Sequence, residues 1–287
     1  MKILITGAFG QLGNALYNTL SHEHNVIRTG RNTNHNIEGL TLDVQNKLLL
    51  KDIIHTTEPD LVINLAAMTN VDNCELKPDL AREINIAGLI NICENFDGKI
   101  IQLSSDYVFD GNNGPYSERD ITNPISIYGE TKLASERILL GFNSDNLVIR
   151  GNVLYDYMPF TNASFVNWVI DSLIDNNKIN VVNDQFNNPT WVQSMAEIIN
   201  LCILNNLNGI VHWGDADFIN RYEFALKIAK KFSLKSSLIQ PITTQKLNQK
   251  AQRPLKSGLK SDKLIKLLNV VPPTINDCLE KITRNLK

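Results

Sequence analysis

Hydrophobic and polar positions follow two rhythms along the first half of this chain. Short, nearly unbroken apolar runs at 2–6, 25–29, 61–65, 99–104 and 146–150 read as strands buried on both faces. Longer stretches with helical spacing lie between them, at 11–21, 44–56, 78–95 and 124–140, with one short strand at 39–43. Strands alternating with helices predict βα units and a parallel sheet covered on both faces, an α/β, doubly wound, Rossmann-like fold.

After Arg150 the rhythm breaks. Residues 165–175, 194–204 and 221–232 are helical in pattern, and 179–182 and 209–213 are strand-like. From Leu234 onward only short segments fit between Pro241, Pro254, Pro272 and Pro273. This predicts a smaller C-terminal lobe that caps the sheet. No linker, low-complexity tract or internal repeat separates the two.

Composition narrows the function classes. In 287 residues, 43% hydrophobic and 20% charged content excludes global disorder. The balance of 28 Lys and Arg against 30 Asp and Glu argues against a nucleic-acid partner. No apolar run approaches the ~18 residues of a membrane helix, and the apolar start is too short for a signal peptide. The expectation is a cytoplasmic protein with no membrane partner. Cys74, Cys93, Cys202 and Cys278 are widely spaced, which fits reduced thiols, and no ligand spacing for a metal occurs.

Three motifs carry chemistry. Gly7, Gly10 and Gly13 form a G-x-x-G-x-x-G run, with Phe9, Gln11 and Leu12 between them, where the first strand turns into the first helix. Glycine there permits the tight turn and lets backbone N–H groups reach a pyrophosphate at the positive end of a helix. An ordinary βα turn is the bland alternative. Stretch 26–32 holds no Asp or Glu to take a ribose 2′-hydroxyl, but it does hold Arg28 and Arg31. A guanidinium suits a 2′-phosphate, so NADPH is favoured over NADH, with Arg31 as the contact. Two solvated surface arginines are the alternative.

Tyr128 and Lys132 form a Y-x-x-x-K pair whose i, i+4 spacing places both on one helix face. An ordinary tyrosine, with a pKa of about 10, is a poor proton-transfer group at neutral pH. A cation about 4 Å away, worth on the order of 4 kcal/mol at an effective dielectric of ~20, would draw it towards phenolate. Ser105 and Asp106 follow a predicted strand, at the sheet end where ligands bind in this class. The Ser105 hydroxyl there could polarise a carbonyl oxygen, or it could simply satisfy a strand-end turn.

Together these residues resemble an extended short-chain dehydrogenase/reductase, and further segments narrow the resemblance. Residues 104–111 with 115–118 resemble the STDYVFDG…PYxE stretch of dTDP-4-dehydrorhamnose reductases, and 63–72 resembles their INAAAYTxVD segment. Asp184-Gln185 with Pro189-Thr190, and 251–259, resemble their DQxGxPT and A-x-RP-x-x-S-x-L motifs. The resemblance implies NADPH-dependent reduction of the 4-keto group of a nucleotide-linked 6-deoxyhexulose. Tyr128 would give the proton, Lys132 would lower the tyrosine pKa and hold the nicotinamide ribose, and Ser105 would align the carbonyl.

The same resemblance implies cofactor contacts from the glycine loop, Asp43, Val44, Ala66 and Ala67. It implies substrate contacts from Thr69, Val71, Asp106, Val153 and Arg253, with Arg253 facing the sugar nucleotide. Asp43 otherwise caps the following helix. The expected division is 1–152 with about 190–232 as the NADP-binding domain, and about 153–189 with 233–287 as the substrate lobe. A monomer or homodimer is expected. The family reads T-S-W-V-Y after its arginine, where this chain has Gly151-Asn152-Val153-Leu154-Tyr155.

Two other functions stay open. Regulatory subunits of methionine adenosyltransferase resemble these reductases, bind NADP and act by association. A 4,6-dehydratase or an epimerase of the same superfamily is the other, but a dehydratase needs Glu after its Asp, and Tyr107 follows Asp106 here.

Overall fold

The computed structural model describes residues 1–31, 38–158 and 164–285. The first half runs β1 (Lys2–Thr6), α1 (Gln11–Leu20), β2 (Asn25–Gly30), β3 (Leu40–Thr41), α2 (Lys47–Thr57), β4 (Leu61–Asn64) and α3 (Val71–Leu76). It continues through α4 (Pro78–Arg82), a π turn (Glu83–Ala87), α5 (Gly88–Asn95), β5 (Lys99–Ser105), α6 (Ile127–Phe142) and β6 (Leu147–Gly151). The second half runs β7 (Leu154–Tyr155), α7 (Phe165–Ile174), β8 (Ile179–Val182), β9 (Phe186–Asn187), β10 (Thr190–Trp191), α8 (Val192–Leu204) and β11 (Gly209–Trp213). It ends with β12 (Ile219–Asn220), α9 (Arg221–Lys231), β13 (Ile239–Ile242), α10 (Thr244–Leu247), α11 (Asp262–Leu268) and α12 (Ile275–Asn285).

Seven strands pair in the order β11-β6-β5-β4-β1-β2-β3, every pair parallel. This is the doubly wound sheet that the apolar runs predict. The winding reverses at β1, so the loops after β1 and β4 diverge and open a crevice at the carboxyl ends of the strands.

Strand alternation explains the two cores. Ile3, Ile5, Ile63, Ile101, Ile149 and Val211 face one side, with α1 and α8. Leu4, Val62, Ile100 and Val148 face the other, against Leu50, Ile53, Leu89 and Ile92. The first core continues into α7, β8, α9, β13 and α12, so the sheet and these later elements share one hydrophobic interior. β8 and β13 form a parallel pair outside the main sheet.

Several boundaries differ from the sequence pattern. α2 begins at Lys47 because Asn46, not Asp43, caps it: the Asn46 side chain accepts the Leu49 N–H at 3.1 Å. The single helix expected over 78–95 is broken by the π turn, and α3 precedes it with Asn70 as its cap. α9 packs on α7, β8, β13 and α12. Its apolar face, Phe224, Ala225, Ile228 and Ala229, is buried there.

No helix among the described residues is long and apolar enough to cross a membrane. The four cysteines are buried and unpaired.

Candidate active site

The glycine loop is built by close approach. Gly7 has φ +65°, and a Cβ on it would lie 2.8 Å from the Ala66 backbone nitrogen. A Cβ on Gly13 would lie 2.3 Å from the Ala8 carbonyl oxygen, so glycine lets α1 press onto the loop. A Cβ on Gly10 would meet only the Gly7 carbonyl oxygen, at an ordinary contact distance of 3.7 Å. Beneath the crevice, Thr6 Oγ1 donates to Asn64 Oδ1 at 2.5 Å and Asn64 Nδ2 donates to Gln102 Oε1 at 2.6 Å. Asn64 Oδ1 also accepts the Ala66 N–H at 3.2 Å. This buried chain fixes the strand ends of β1, β4 and β5 against one another.

Ser126 caps α6, accepting the Gly129 N–H at 3.3 Å. A Cβ on Gly129 would meet the Tyr107 carbonyl oxygen at 2.2 Å, so this glycine brings the start of α6 onto the turn after β5. Tyr128 consequently packs edge-on against Tyr107, with ring centroids 5.6 Å apart, and lines the same cleft as Ser105. The Ser105 hydroxyl donates to Asp106 Oδ1 at 2.9 Å and accepts the Tyr107 N–H at 3.2 Å. One helical turn beyond Tyr128, Lys132 is buried, and its ammonium donates to the Leu103 carbonyl at 2.5 Å.

Titration directions follow from burial. Burial pushes the Tyr128 hydroxyl above its ordinary value, and the Ser105 hydrogen bond is the chief opposing influence. The expected drop of Tyr128 driven by Lys132 is therefore absent: the Lys132 ammonium is engaged with Leu103, and burial lowers its own pKa to about 8. Asp106 is raised to about 6 by burial, against the lowering hydrogen bonds from Ser257 and Ser105.

These groups meet in a cleft of about 540 Å³. Its lining includes Gly7, Gly10, Gln11, Leu12, Gly13, Arg31, Asp43, Val44, Ala66 and Ala67 at one end. Thr69, Val71, Ser105, Asp106, Tyr128 and Val153 line it too. Three expected residues lie off this lining. Lys132 sits beneath it. The Phe9 ring covers Gly30 and Gly39 instead and stacks over the Arg28 guanidinium, 5.0 Å away. Arg253 pairs with Asp72 at 3.0 Å and faces a second cavity with Gln249 and Lys250.

Arg28 is a structural cation, not a solvated one. It is buried between Phe9 and Tyr17 and donates to Asn14 Oδ1 at 2.5 Å. Asp43 lines the cleft and accepts the Gln45 N–H at 3.0 Å. His212 is a satisfied strand histidine, between Arg150 and the Tyr116 carbonyl. Among the described residues no group of three His, Cys, Asp or Glu could hold a metal ion.

Sequence reasoning missed three features of the site. Asn85, in the π turn, accepts the Met68 N–H at 2.7 Å and donates to Thr131 Oγ1 at 2.9 Å, joining the loop after β4 to α6. Arg221 and Asn152 also line the cleft. A π turn inside a helix is a recurring mark of functional sites, but residue periodicity does not reveal it.

This fold and site define a doubly wound α/β protein of the extended short-chain dehydrogenase/reductase class. The chain belongs to the family described as the RmlD substrate binding domain, whose model matches residues 1–287. It is 33% identical over 274 residues to methionine adenosyltransferase 2 subunit beta of Mus musculus, covering 92% of this chain and 81% of that one. It is 29% identical over 296 residues to dTDP-4-dehydrorhamnose reductase of Aggregatibacter actinomycetemcomitans, covering 98% of each. The crystal structure of dTDP-4-dehydrorhamnose reductase from Bacillus anthracis in complex with NADP superposes with a TM-score of 0.90, at 29% identity and 99% coverage of both chains.

Proposed function

We propose that this protein uses NADPH to reduce the 4-keto group of a nucleotide-linked 6-deoxyhexulose, with dTDP-4-dehydro-L-rhamnose as substrate. The carrying observation is that Ser105, Tyr128 and the glycine loop line one cleft. The cofactor fits this chain on its own terms: Gly10 leaves room for close approach, and Gln11 Oε1 is buried without a partner among the described residues. NADP in the related Bacillus anthracis reductase supports the same reading.

When bound, NADPH supplies the hydride. Tyr128 holds the proton that the new alkoxide at C4 takes. Ser105 orients the carbonyl oxygen towards Tyr128 and donates to it in place of Asp106. Lys132 would anchor the nicotinamide ribose by turning its ammonium from the Leu103 carbonyl, and Arg31 would receive the 2′-phosphate. Thr69, Val71 and Val153 contact the sugar. The sheet end and glycine loop form the cofactor domain, and the capping lobe closes over the substrate.

A second reading is a non-catalytic, NADP-binding subunit, supported by the 33% identity to methionine adenosyltransferase 2 subunit beta. NADPH absorbance separates the two. Oxidation on adding dTDP-4-dehydro-L-rhamnose, lost in Tyr128→Phe, is the result expected here. Tight NADPH binding without oxidation of any nucleotide ketosugar would instead establish the binding subunit.

A further inference from the structure

Arg221 is the first residue of α9, and it opens into the cleft. A cation there is disfavoured, because the first turn of a helix is the positive end of its dipole. The N-terminal N–H groups are already in use: Asn220 Oδ1 accepts the Glu223 N–H at 2.8 Å, and the Arg221 N–H donates to the Gln185 carbonyl at 3.3 Å. Among the described residues the guanidinium makes no ion pair. Its partner is the face of Phe165, 5.4 Å from the ring centroid. A π face holds a guanidinium in place while leaving its N–H edge free for an anion.

Asn152 lines the same cleft. The residue is only 7% exposed, yet neither Nδ2 nor Oδ1 has a hydrogen-bond partner among the described residues. Buried amides are normally satisfied; the Asn152 Nδ2 sits against Gly214, 2.6 Å from where a Cβ on that glycine would lie, and turns towards the cleft to meet a ligand. Arg253 is the alternative cation, but Asp72 already neutralises it at 3.0 Å.

We propose that Arg221 and Asn152 form the anion-binding end of the cleft and hold the diphosphate of the sugar nucleotide, Arg221 through charge and Asn152 through its N–H group. The inference rests on the nucleotide-sugar reading above. It assigns the diphosphate to α9 and the β6 end instead of to the Arg253 segment.

The test is calorimetric titration of NADP⁺-loaded protein with dTDP, UDP and thymidine. The wild type binds a nucleoside diphosphate more tightly than the nucleoside. Arg221→Gln weakens dTDP about tenfold to hundredfold, the range of a charge-assisted hydrogen bond, and leaves thymidine unchanged. Arg221→Lys recovers part of the loss, and Asn152→Ala weakens dTDP several-fold. Unchanged NADP⁺ affinity shows that each variant is folded. Wild-type affinity for dTDP in Arg221→Gln, with the loss appearing in Arg253→Gln, would overturn the inference while leaving the nucleotide-sugar reading intact. A wild type that binds neither dTDP nor UDP would remove that reading itself, and this inference with it.

Discussion

Ser257 donates its hydroxyl hydrogen to Asp106 Oδ2 at 2.5 Å, joining residues 151 positions apart in the sequence. The other carboxylate oxygen takes the Ser105 hydroxyl, and Ser105 and Tyr128 line one cleft. The C-terminal segment around Ser257 is laced to the turn after β5 by backbone bonds: Lys256 N–H to the Gly111 carbonyl at 2.8 Å and Tyr116 N–H to the Gly258 carbonyl at 2.7 Å. The C-terminal segment thus sets the orientation of the Ser105 hydroxyl within the cleft.

Ser257→Ala leaves one oxygen of a buried carboxylate unpaired. It should cost about 1.5–3 kcal/mol of stability at neutral pH, measured by denaturant unfolding. Asp106 should rise further above its value of about 6, because the Ser257 hydrogen bond lowers it. The acid limb of kcat/KM should therefore move to higher pH. The sign for stability is the same in both proteins: a raised carboxyl pKa means that the folded state binds more protons than the unfolded chain. Its contribution is present below 3.8 and lost as pH rises through about 6 in the wild type.

Two glycines of one loop should respond differently to the same added methyl. Gly13→Ala forces a Cβ to 2.3 Å from the Ala8 carbonyl and should lower Tm markedly. At Gly10, φ is −79° and the nearest atom would lie 3.7 Å away, so Gly10→Ala should fold within about 0.5 kcal/mol of the wild type. Its NADPH affinity should nonetheless fall, because the methyl occupies the space that a pyrophosphate needs. Paired thermal melts and NADPH titrations check both.

Arg31→Gln should raise the KM for NADPH about tenfold to hundredfold, as expected for a lost charge-assisted contact, and leave NADH unaffected. Arg28→Gln should instead lower stability with both cofactors, since its guanidinium is enclosed by Phe9 and Tyr17. Steady-state kinetics with each cofactor separates the two arginines.

Both arginines lie in one short stretch, and their difference shows where the sequence stops being readable. The parallel strands were legible because each is a buried apolar run, and the glycine, Ser105 and Tyr128–Lys132 motifs were legible because their spacing is local. Arg28 was ambiguous because its burial depends on an aromatic from the glycine loop and another from α1. The pairing of Arg253 with Asp72 joins distant segments that the sequence gives no reason to bring together. Arg221 did leave a trace, a cation in the first turn of a helix, which is a local preference broken without local gain.

Lys132 should impose an alkaline limit. Its pKa of about 8 means that the ammonium held by Leu103 discharges above that pH, and activity should decline with an apparent pKa near 8. Lys132→Met should abolish that limb along with most of the turnover. For folding the sign is opposite to that of Asp106: between about 8 and 10.5 the unfolded chain binds more protons, so this group favours the folded state increasingly as pH rises.

Direct hydride delivery to C4 of a nucleotide ketosugar, within the cleft that Tyr128 and Ser105 line, is the reaction proposed for this protein. The most direct test supplies NADPH deuterated at the transferable C4 position together with dTDP-4-dehydro-L-rhamnose, and reads the product by NMR. One deuterium should appear at C4 of the sugar for each NADP⁺ formed, and none in Tyr128→Phe. Bound NADPH with no deuterium in the sugar of this or any other nucleotide ketosugar would contradict it.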